Sequence, residues 1–433
     1  MAADGCHTYD AFPAISGPPV EPFLHRLCRC LLLWGLCGLG LTAHAQPVFD
    51  IPAATTRVAL SPHLEYLVDT TDRWRPDTGE PAPGDWLAFD ILGERAVVMR
   101  GQDGQVRAFH NLCRHRGARV VDGATGHCKG SIVCPFHGWV YNLDGSLRGA
   151  AQPTSFGTLA REDFGLKPIE MEIFHGFIFL RFAPGPQASV AQLLQPFEAD
   201  FAAYGTRDIL PVTVPDWSMD LPVNWKSVRD VDNEGYHVPL AHPGLQDLYG
   251  RTYRDMHLDN GLSMSIGWFG DVPGKLWSVR HYARISPPRP ELPQHLQGAW
   301  TYYGLFPNQV IAMTPDGLQF YHELPLNEGQ TRLTGRLYRW PNETRERRLA
   351  RYLAMRIDRD TSTEDQQLSI WSNESMRSTA FEGFHLSDLE YGLRRHHDGL
   401  RQLMPVMRLQ TAPAEDQIAT LNTEMSCQTL GQE

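Results

Sequence analysis

The chain reads as an α+β protein of two domains, and three observations carry that reading. Its 433 residues exceed what one ordinary core accommodates. Short apolar segments separated by tight-turn dipeptides fill the stretch 86–182. Beyond Pro186, helical periodicity mixes with longer strand-like runs. The composition, 42% hydrophobic and 21% charged, is that of a folded globular chain. A formal net charge of -11 argues against a nucleic-acid partner, which demands a basic patch to neutralise phosphates.

Residues 1–47 stand apart as an N-terminal extension or signal-like segment. Arg26 and Arg29 precede an apolar run from Leu31 to Ala43, closed by Ala43-His44-Ala45-Gln46, in the order of a secretory signal. The run is too short to span a bilayer comfortably. A start codon placed too far upstream would give the same picture. A cytoplasmic location is expected because the cofactor argued below is normally inserted there, and the signal-like segment leaves export open. The eight cysteines form no disulfide framework, and only Cys113 and Cys134 sit in a context that demands chemistry.

Residues 60–185 are read as a small all-β domain. Strands are expected at 85–89, 96–99, 106–109, 131–133, 139–141 and 176–180, with Asp103-Gly104, Asp122-Gly123 and Asp144-Gly145 as turns between them. Residues 190–415 are read as a second domain with an antiparallel sheet. A helix over 190–204 should bury Leu193, Leu194, Phe197 and Phe201. Further helices are expected over 225–237 and over 345–359, where Leu349, Tyr352, Leu353 and Ile357 line one face. Strands are expected at 300–306, 317–324 and 331–340.

Two constellations carry chemistry. The first is Cys113-Arg114-His115-Arg116-Gly117 with Cys134-Pro135-Phe136-His137-Gly138-Trp139. Two thiolates and two imidazoles on two loops are the ligand set of a Rieske [2Fe-2S] cluster, with cysteines on one iron and histidines on the other. Neutral imidazole removes negative charge and raises the potential, which makes the cluster an acceptor for a low-potential donor. Tetrahedral zinc uses the same residue types, but structural zinc sites usually pair cysteine with cysteine and histidine with histidine at short spacing. Here each loop supplies one of each.

The second constellation lies in 224–243 and contains Glu234, His237 and His242. On a regular helix Asp230, Glu234 and His237 would share a face. His242 would not, but Pro239 is expected to end or kink the helix and fold the chain back, so that the two histidines converge. Two imidazoles and one carboxylate make the facial triad that holds Fe(II) with positions open for dioxygen. These residues alone leave the carboxylate undecided, and without the first constellation both histidines would read as ordinary polar residues of a helix and turn.

The paired loops 113–117 and 134–141 closely resemble those of Rieske-type non-haem iron oxygenase large subunits, and 224–243 resembles the iron motif of the ring-hydroxylating family. The resemblance covers roughly residues 60–410. It implies a Rieske domain joined to a helix-grip-type catalytic domain, with Cys113, His115, Cys134 and His137 holding the cluster. It further implies His237, His242 and Asp365 as ligands of a mononuclear Fe(II), the aspartate lying just before a helix, with Glu364, Asp360 and Asp358 as rivals. Glu234 would bridge His237 to a cluster histidine of the neighbouring subunit in a homotrimer, and Asp230 would support the site from outside the ligand set.

The implied activity is hydroxylation, dihydroxylation or dealkylation of a small aromatic or quaternary ammonium substrate with O2. A glutamate at 234, where aromatic-ring dioxygenases usually have aspartate, is similar to members that oxidise choline, betaine or carnitine, as is Phe306-Pro307-Asn308. Arg229-Asp230, where many members show Glu-Asn, departs from the pattern. No dinucleotide fingerprint or plant-type ferredoxin cysteine run is present, so electrons must come through a separate NAD(P)H-dependent reductase, with or without a ferredoxin. The alternative, a non-catalytic Rieske electron carrier, gives no use to His237 and His242. Of the aromatics in the second half, including Tyr253, Trp268, Phe269, Trp277, Tyr282, Trp300, Tyr302, Tyr303, Phe320, Tyr321 and Trp371, two or three are expected to touch substrate.

Overall fold

The computed structural model describes residues 65–70, 82–91, 93–182, 188–212, 217–258, 261–271, 274–411 and 413–430. The signal-like segment 1–47 lies outside them. Ten strands come first: β1 (Glu65–Thr70), β2 (Asp85–Ile91), β3 (Glu94–Arg100), β4 (Val106–His110), β5 (Thr125–His127), β6 (Ile132–Val133), β7 (Val140–Tyr141), β8 (Leu147–Gly149), β9 (Pro168–Phe174) and β10 (Phe177–Arg181). Seven form an antiparallel sheet in the order β1-β10-β9-β4-β3-β2-β5, while β6, β7 and β8 form a small second sheet. In β3 the run Ala96-Val97-Val98-Met99 is fully buried, because successive side chains point to opposite faces and both faces are covered. Val97 and Met99 pack with Phe109, Trp139 and Tyr141, whereas Ala96 and Val98 pack with Leu87, Ile178 and Leu180.

The six strands expected in this half are present, and β1, β5, β8 and β9 are additions, of which β9 carries the alternation Ile169-Glu170-Met171-Glu172-Ile173. The helix expected over 190–204 is interrupted. Pro196 has no N–H to continue the ladder, so α1 (Val190–Leu194) and α2 (Glu198–Tyr204) flank a single 3-10 turn. Ser189 and Gln192 cap α1 reciprocally.

The rest of the chain builds β11 (Leu210–Pro211), β12 (Trp217–Leu221), α3 (Trp225–Asp232), α4 (Val238–Ala241), α5 (Pro243–Tyr249), β13 (Arg254–His257), β14 (Leu262–Trp268) and α6 (Trp277–Ile285). It continues through β15 (Ala299–Leu305), β16 (Gln309–Met313), β17 (Leu318–Asn327), β18 (Gln330–Arg339), α7 (Arg345–Ser375), α8 (Tyr391–Leu403) and α9 (Ile418–Leu430). The strands form an antiparallel sheet in the order β11-β18-β17-β16-β15-β14-β13, and β12 also pairs with β18. Along β15 the two faces alternate. Ala299, Tyr303 and Leu305 join Phe197, Phe201 and the first domain's Phe177 in one core, while Trp300 joins Leu248, Tyr282 and Leu353 beneath the helices.

Three helical expectations need correction. Helix α3 stops at Asp232 instead of continuing to 237. At Gly235 an added Cβ would fall 2.0 Å from the Tyr253 ring, and its N–H donates to Asp255 Oδ2 at 2.8 Å, so residues at the start of β13 and just before it hold the chain away from a helical course here. Asp230, Glu234 and His237 therefore share no helix face, and Pro239 begins α4 without ending anything. Helix α7 runs 31 residues to Ser375, uninterrupted by Pro or Gly, so Asp365 lies inside it and not before a helix. Its buried seam is Ala350, Leu353, Ala354 and Ile357, whereas Leu349 and Tyr352 are 49% and 58% exposed. Ala350, Leu353, Ala354 and Ile357 pack with Leu245 and Leu248 of α5, Val279 and Tyr282 of α6, and Trp300 of β15.

Candidate active site

The cluster loops follow one plan. Gly117 and Gly138 each stand four residues after a cysteine at φ 73 and 68, a left-handed conformation that glycine adopts without strain. Each glycine N–H closes onto its cysteine's carbonyl, at 2.8 Å for Cys113 and 3.0 Å for Cys134. The cysteine N–H groups close in turn onto Ala118 O at 2.7 Å and Trp139 O at 2.8 Å. Both cysteines are 2% exposed, His115 is half-buried and His137 is exposed. The histidine rings lie 4.6 Å apart, and Trp139 stacks on His115 at 5.2 Å.

His115 Nδ1 is buried without a hydrogen-bond partner among the described residues. The Tyr141 hydroxyl accepts the Arg114 N–H at 3.0 Å and turns its own proton toward Cys113 Sγ at 3.2 Å. Burial pushes the Cys113 thiol up, so a metal is needed to take its proton away. Two buried sulfurs and two outward rings, one with an orphaned nitrogen, fit a [2Fe-2S] cluster, which Cys113 and Cys134 would hold from the inside and His115 and His137 from the outside.

The second centre is assembled around two helices. His237 precedes α4, His242 follows it, and Asp365 projects from α7. The two Nε2 atoms lie 3.0 Å apart, and Asp365 Oδ1 lies 2.8 Å from His242 Nε2 and 3.6 Å from His237 Nε2. Each ring is held from behind by a carboxylate: His237 Nδ1 donates to Glu234 Oε1 at 2.5 Å, and His242 Nδ1 donates to Glu364 Oε2 at 2.9 Å. When the rings are neutral, as metal ligands must be, Nδ1 therefore carries the proton in both and the Nε2 lone pairs face Asp365.

Burial opposes a charged His237, but Asp365 and Glu234 outweigh it and the ring is pushed up to about 10. His242 moves up against the same burial, and Asp365 moves below the usual carboxylate range because both rings attract its charge. Groups that draw positive charge into their midst, whether protons on the rings or a metal ion in their place, fit a divalent cation on a 2-His-1-carboxylate site.

The triad opens on a solvent-connected cavity. Helix α7 contributes Asp358, Thr361, Ser362, Asp365, Gln366 and Ser369, the spacing of one helical face. Tyr253, Tyr302 and Tyr321, three of the aromatics singled out in the sequence, line it, and Trp217 joins them. Arg229 is buried against Glu323 at 3.3 Å and Asp232 at 3.6 Å, and Tyr321 OH donates to Asp232 Oδ2 at 2.9 Å. Asp358 Oδ2 accepts from Gln319 Nε2 at 3.0 Å, and burial, opposed by that amide, pushes this carboxyl up to about 6.

The structure thus brings together the two cysteines and two histidines of the first constellation, and His237, His242, Asp365 and Glu234 of the second. It does not bring Asp230 to the iron triad. The Asp230 carboxylate accepts from His397 Nε2 at 2.7 Å and ties α3 to α8. Arg229 and Lys226 near the adjoining His396 disfavour a metal ion in that cluster. Asp232, two residues further on, lies at the cavity instead, and neither it nor Gln319 stood out in the sequence. Glu364 and Asp358 were visible only as rivals of Asp365.

A model of the Rieske [2Fe-2S] domain matches residues 76–161, and one of the ring hydroxylating alpha subunit (catalytic domain) matches residues 212–406. The carnitine monooxygenase oxygenase subunit of Acinetobacter baumannii is 33% identical over 165 residues, covering 38% of this chain and 44% of its own. The glycine betaine monooxygenase oxygenase subunit of Pseudomonas aeruginosa is 34% identical over 172 residues, covering 38% of this chain and 37% of its own. The chain thus spans less than half the length of the curated relatives it matches. A quaternary ammonium Rieske monooxygenase solved with L-carnitine superposes with a TM-score of 0.65 at 20% identity, over 83% of this chain and 95% of that one. Naphthalene 1,2-dioxygenase with indole bound gives a TM-score of 0.64 at 18% identity, over 88% and 96%. At these identities the structural likeness is one of fold.

Proposed function

The chain joins a Rieske [2Fe-2S] domain to the catalytic domain of a ring hydroxylating alpha subunit, and from that membership we propose that it is a terminal oxygenase. It would use O2, and electrons from a separate reductase, to hydroxylate, dihydroxylate or dealkylate a small organic substrate at a mononuclear iron. The observation that carries this reading is the convergence of His237 Nε2, His242 Nε2 and Asp365 Oδ1 on the wall of a cavity that also carries aromatic side chains. When bound, the iron supplies a position for dioxygen and the cluster supplies electrons.

The protein's own residues set the stage. Glu234 and Glu364 fix the imidazole tautomers, and Glu234 also accepts the Tyr236 and His237 N–H groups, which locks the turn that carries His237. Tyr253, Tyr302, Tyr321 and Trp217 shape the wall against which a substrate is oriented. Both an aromatic ring and a quaternary ammonium group suit such a wall, and the curated relatives act on carnitine and glycine betaine.

Electron delivery is proposed to run between copies of the chain in a homotrimer. Phe136 and Val133 on the cluster side are 54% and 55% exposed, and Tyr236 and Leu240 beside the iron site are 58% and 87% exposed. Such apolar patches suit contact between two copies. Glu234 would then link a neighbour's cluster histidine to His237.

Purified protein is expected to be brown, to show a Rieske-type EPR signal when reduced, and to hold about three irons per chain, two of them in the cluster. Oxygen uptake coupled to product should appear with a surrogate reductase. Two irons with an intact cluster signal and no uptake would support the carrier alternative, and zinc in their place would exclude both.

A further inference from the structure

One carboxylate of the cavity faces neither an arginine nor an imidazole. Among its lining residues the acids are Asp232, Glu234, Asp358 and Asp365, and the one arginine or lysine is Arg229. Arg229 serves Glu323 and Asp232, Glu234 serves His237, and Asp365 lies between the two Nε2 atoms. Asp358 has only the neutral Gln319 amide on one oxygen, and no cation pairs with it among the described residues. A carboxylate withdrawn from water without a positive partner is costly, and a substrate that brings one removes the cost.

Tyr302 lines the cavity beside this carboxylate, so a cation there would meet a ring as well as a charge. The distance to the triad is set by the helix. Asp358 and Asp365 are seven residues apart on one face of α7, two turns, or about 10 Å along the axis.

We infer that Asp358, held by Gln319, is the specificity-determining residue of the cavity, and that it anchors the positive end of an organic cation whose uncharged chain reaches two helical turns toward His237, His242 and Asp365. This rests on the cavity being the substrate site of the proposed oxygenase, and it commits that site to extended cations over neutral aromatics. The separation also favours a long cation over a compact one, because a compact cation satisfies Asp358 without filling the space toward the triad.

The test is calorimetric binding to the metal-loaded protein, independent of turnover. The probes are hexyltrimethylammonium, tetramethylammonium and the neutral alcohol 1-hexanol. Hexyltrimethylammonium should bind at least about tenfold tighter than 1-hexanol, the equivalent of a single well-placed charge interaction, and tighter than tetramethylammonium. Asp358→Asn should abolish the preference for the cation and leave 1-hexanol unchanged, while Asp358→Glu should retain it. Equal binding of cation and alcohol, a preference untouched by Asp358→Asn, or no saturable cation binding at millimolar concentration would overturn the inference. Oxygen uptake separates the two readings. Turnover of a neutral aromatic without cation preference sinks this inference alone, whereas Asp358-dependent cation binding by a protein that never consumes oxygen sinks the oxygenase.

Discussion

Replacing Asp358 by asparagine should stabilise the folded chain above neutral pH. The carboxyl is raised from 3.8 to about 6, chiefly by burial, with Asp232 and Asp365 adding repulsion. A raised carboxylate takes up its proton in the folded state first, so its ionisation costs nothing below the unfolded value, and the cost grows as pH rises through the window from about 4 to 6. Two units correspond to about 3 kcal/mol at about pH 8, and linkage leaves roughly half of that at about pH 5. Asparagine keeps an oxygen for Gln319 and removes the charge, so a gain of about 1 to 2 kcal/mol is expected at the higher pH, the upper figure being reached only if the amide packs as well as the carboxylate. Thermal unfolding of wild type and Asp358→Asn at the two pH values measures it. The variant should melt a few degrees higher at about pH 8, with the difference shrinking at about pH 5. A variant that is less stable at about pH 8, or equally stabilised at both, would refute the claim that Asp358 is an uncompensated charge. Stability gained together with cation affinity lost is the pattern of a residue retained for function.

Other substitutions separate the two centres. His237→Ala should lose about one iron in three and all turnover while leaving the reduced cluster's EPR signal intact; a lost cluster signal would contradict the independence of the sites. Glu234→Ala should keep both metals and slow electron arrival at the iron, read as single-turnover reoxidation of the cluster, and an unchanged rate would remove Glu234 from the path. Tyr141→Phe deletes the proton directed at Cys113 Sγ and should lower the cluster potential by roughly 60 mV, the equivalent of about 1.4 kcal/mol for one electron, in a redox titration. Arg229→Met strands Glu323, which is 0% exposed, and should destabilise the fold by about 3 to 5 kcal/mol in denaturant titration, with Glu323→Leu in the same chain recovering most of it.

The amino-acid sequence by itself determined what depends on near neighbours. The cluster loops were legible because each places a cysteine, a histidine and a left-handed glycine within five residues, and the ligand chemistry lies in those residue types. Six of the ten strands of the first domain and the three long strands of the second were legible as short apolar or β-branched runs bounded by turn residues. His237 and His242 were visible as candidates for the same local reason. Tertiary structure decided the rest. The break after Asp232 comes from Tyr253 and Asp255 pressing on Gly235, so no helical arithmetic over 225–237 could show that Asp230 turns to His397 while Glu234 turns to His237. Asp365 reaches the histidines because α7 runs on unbroken past residue 359, and the same continuity places Asp358 two turns away on the cavity wall. A residue's partners across more than a hundred positions are set by how helices and sheet pack, and Asp358 shows its missing counter-charge only once every other charge around it has found a partner.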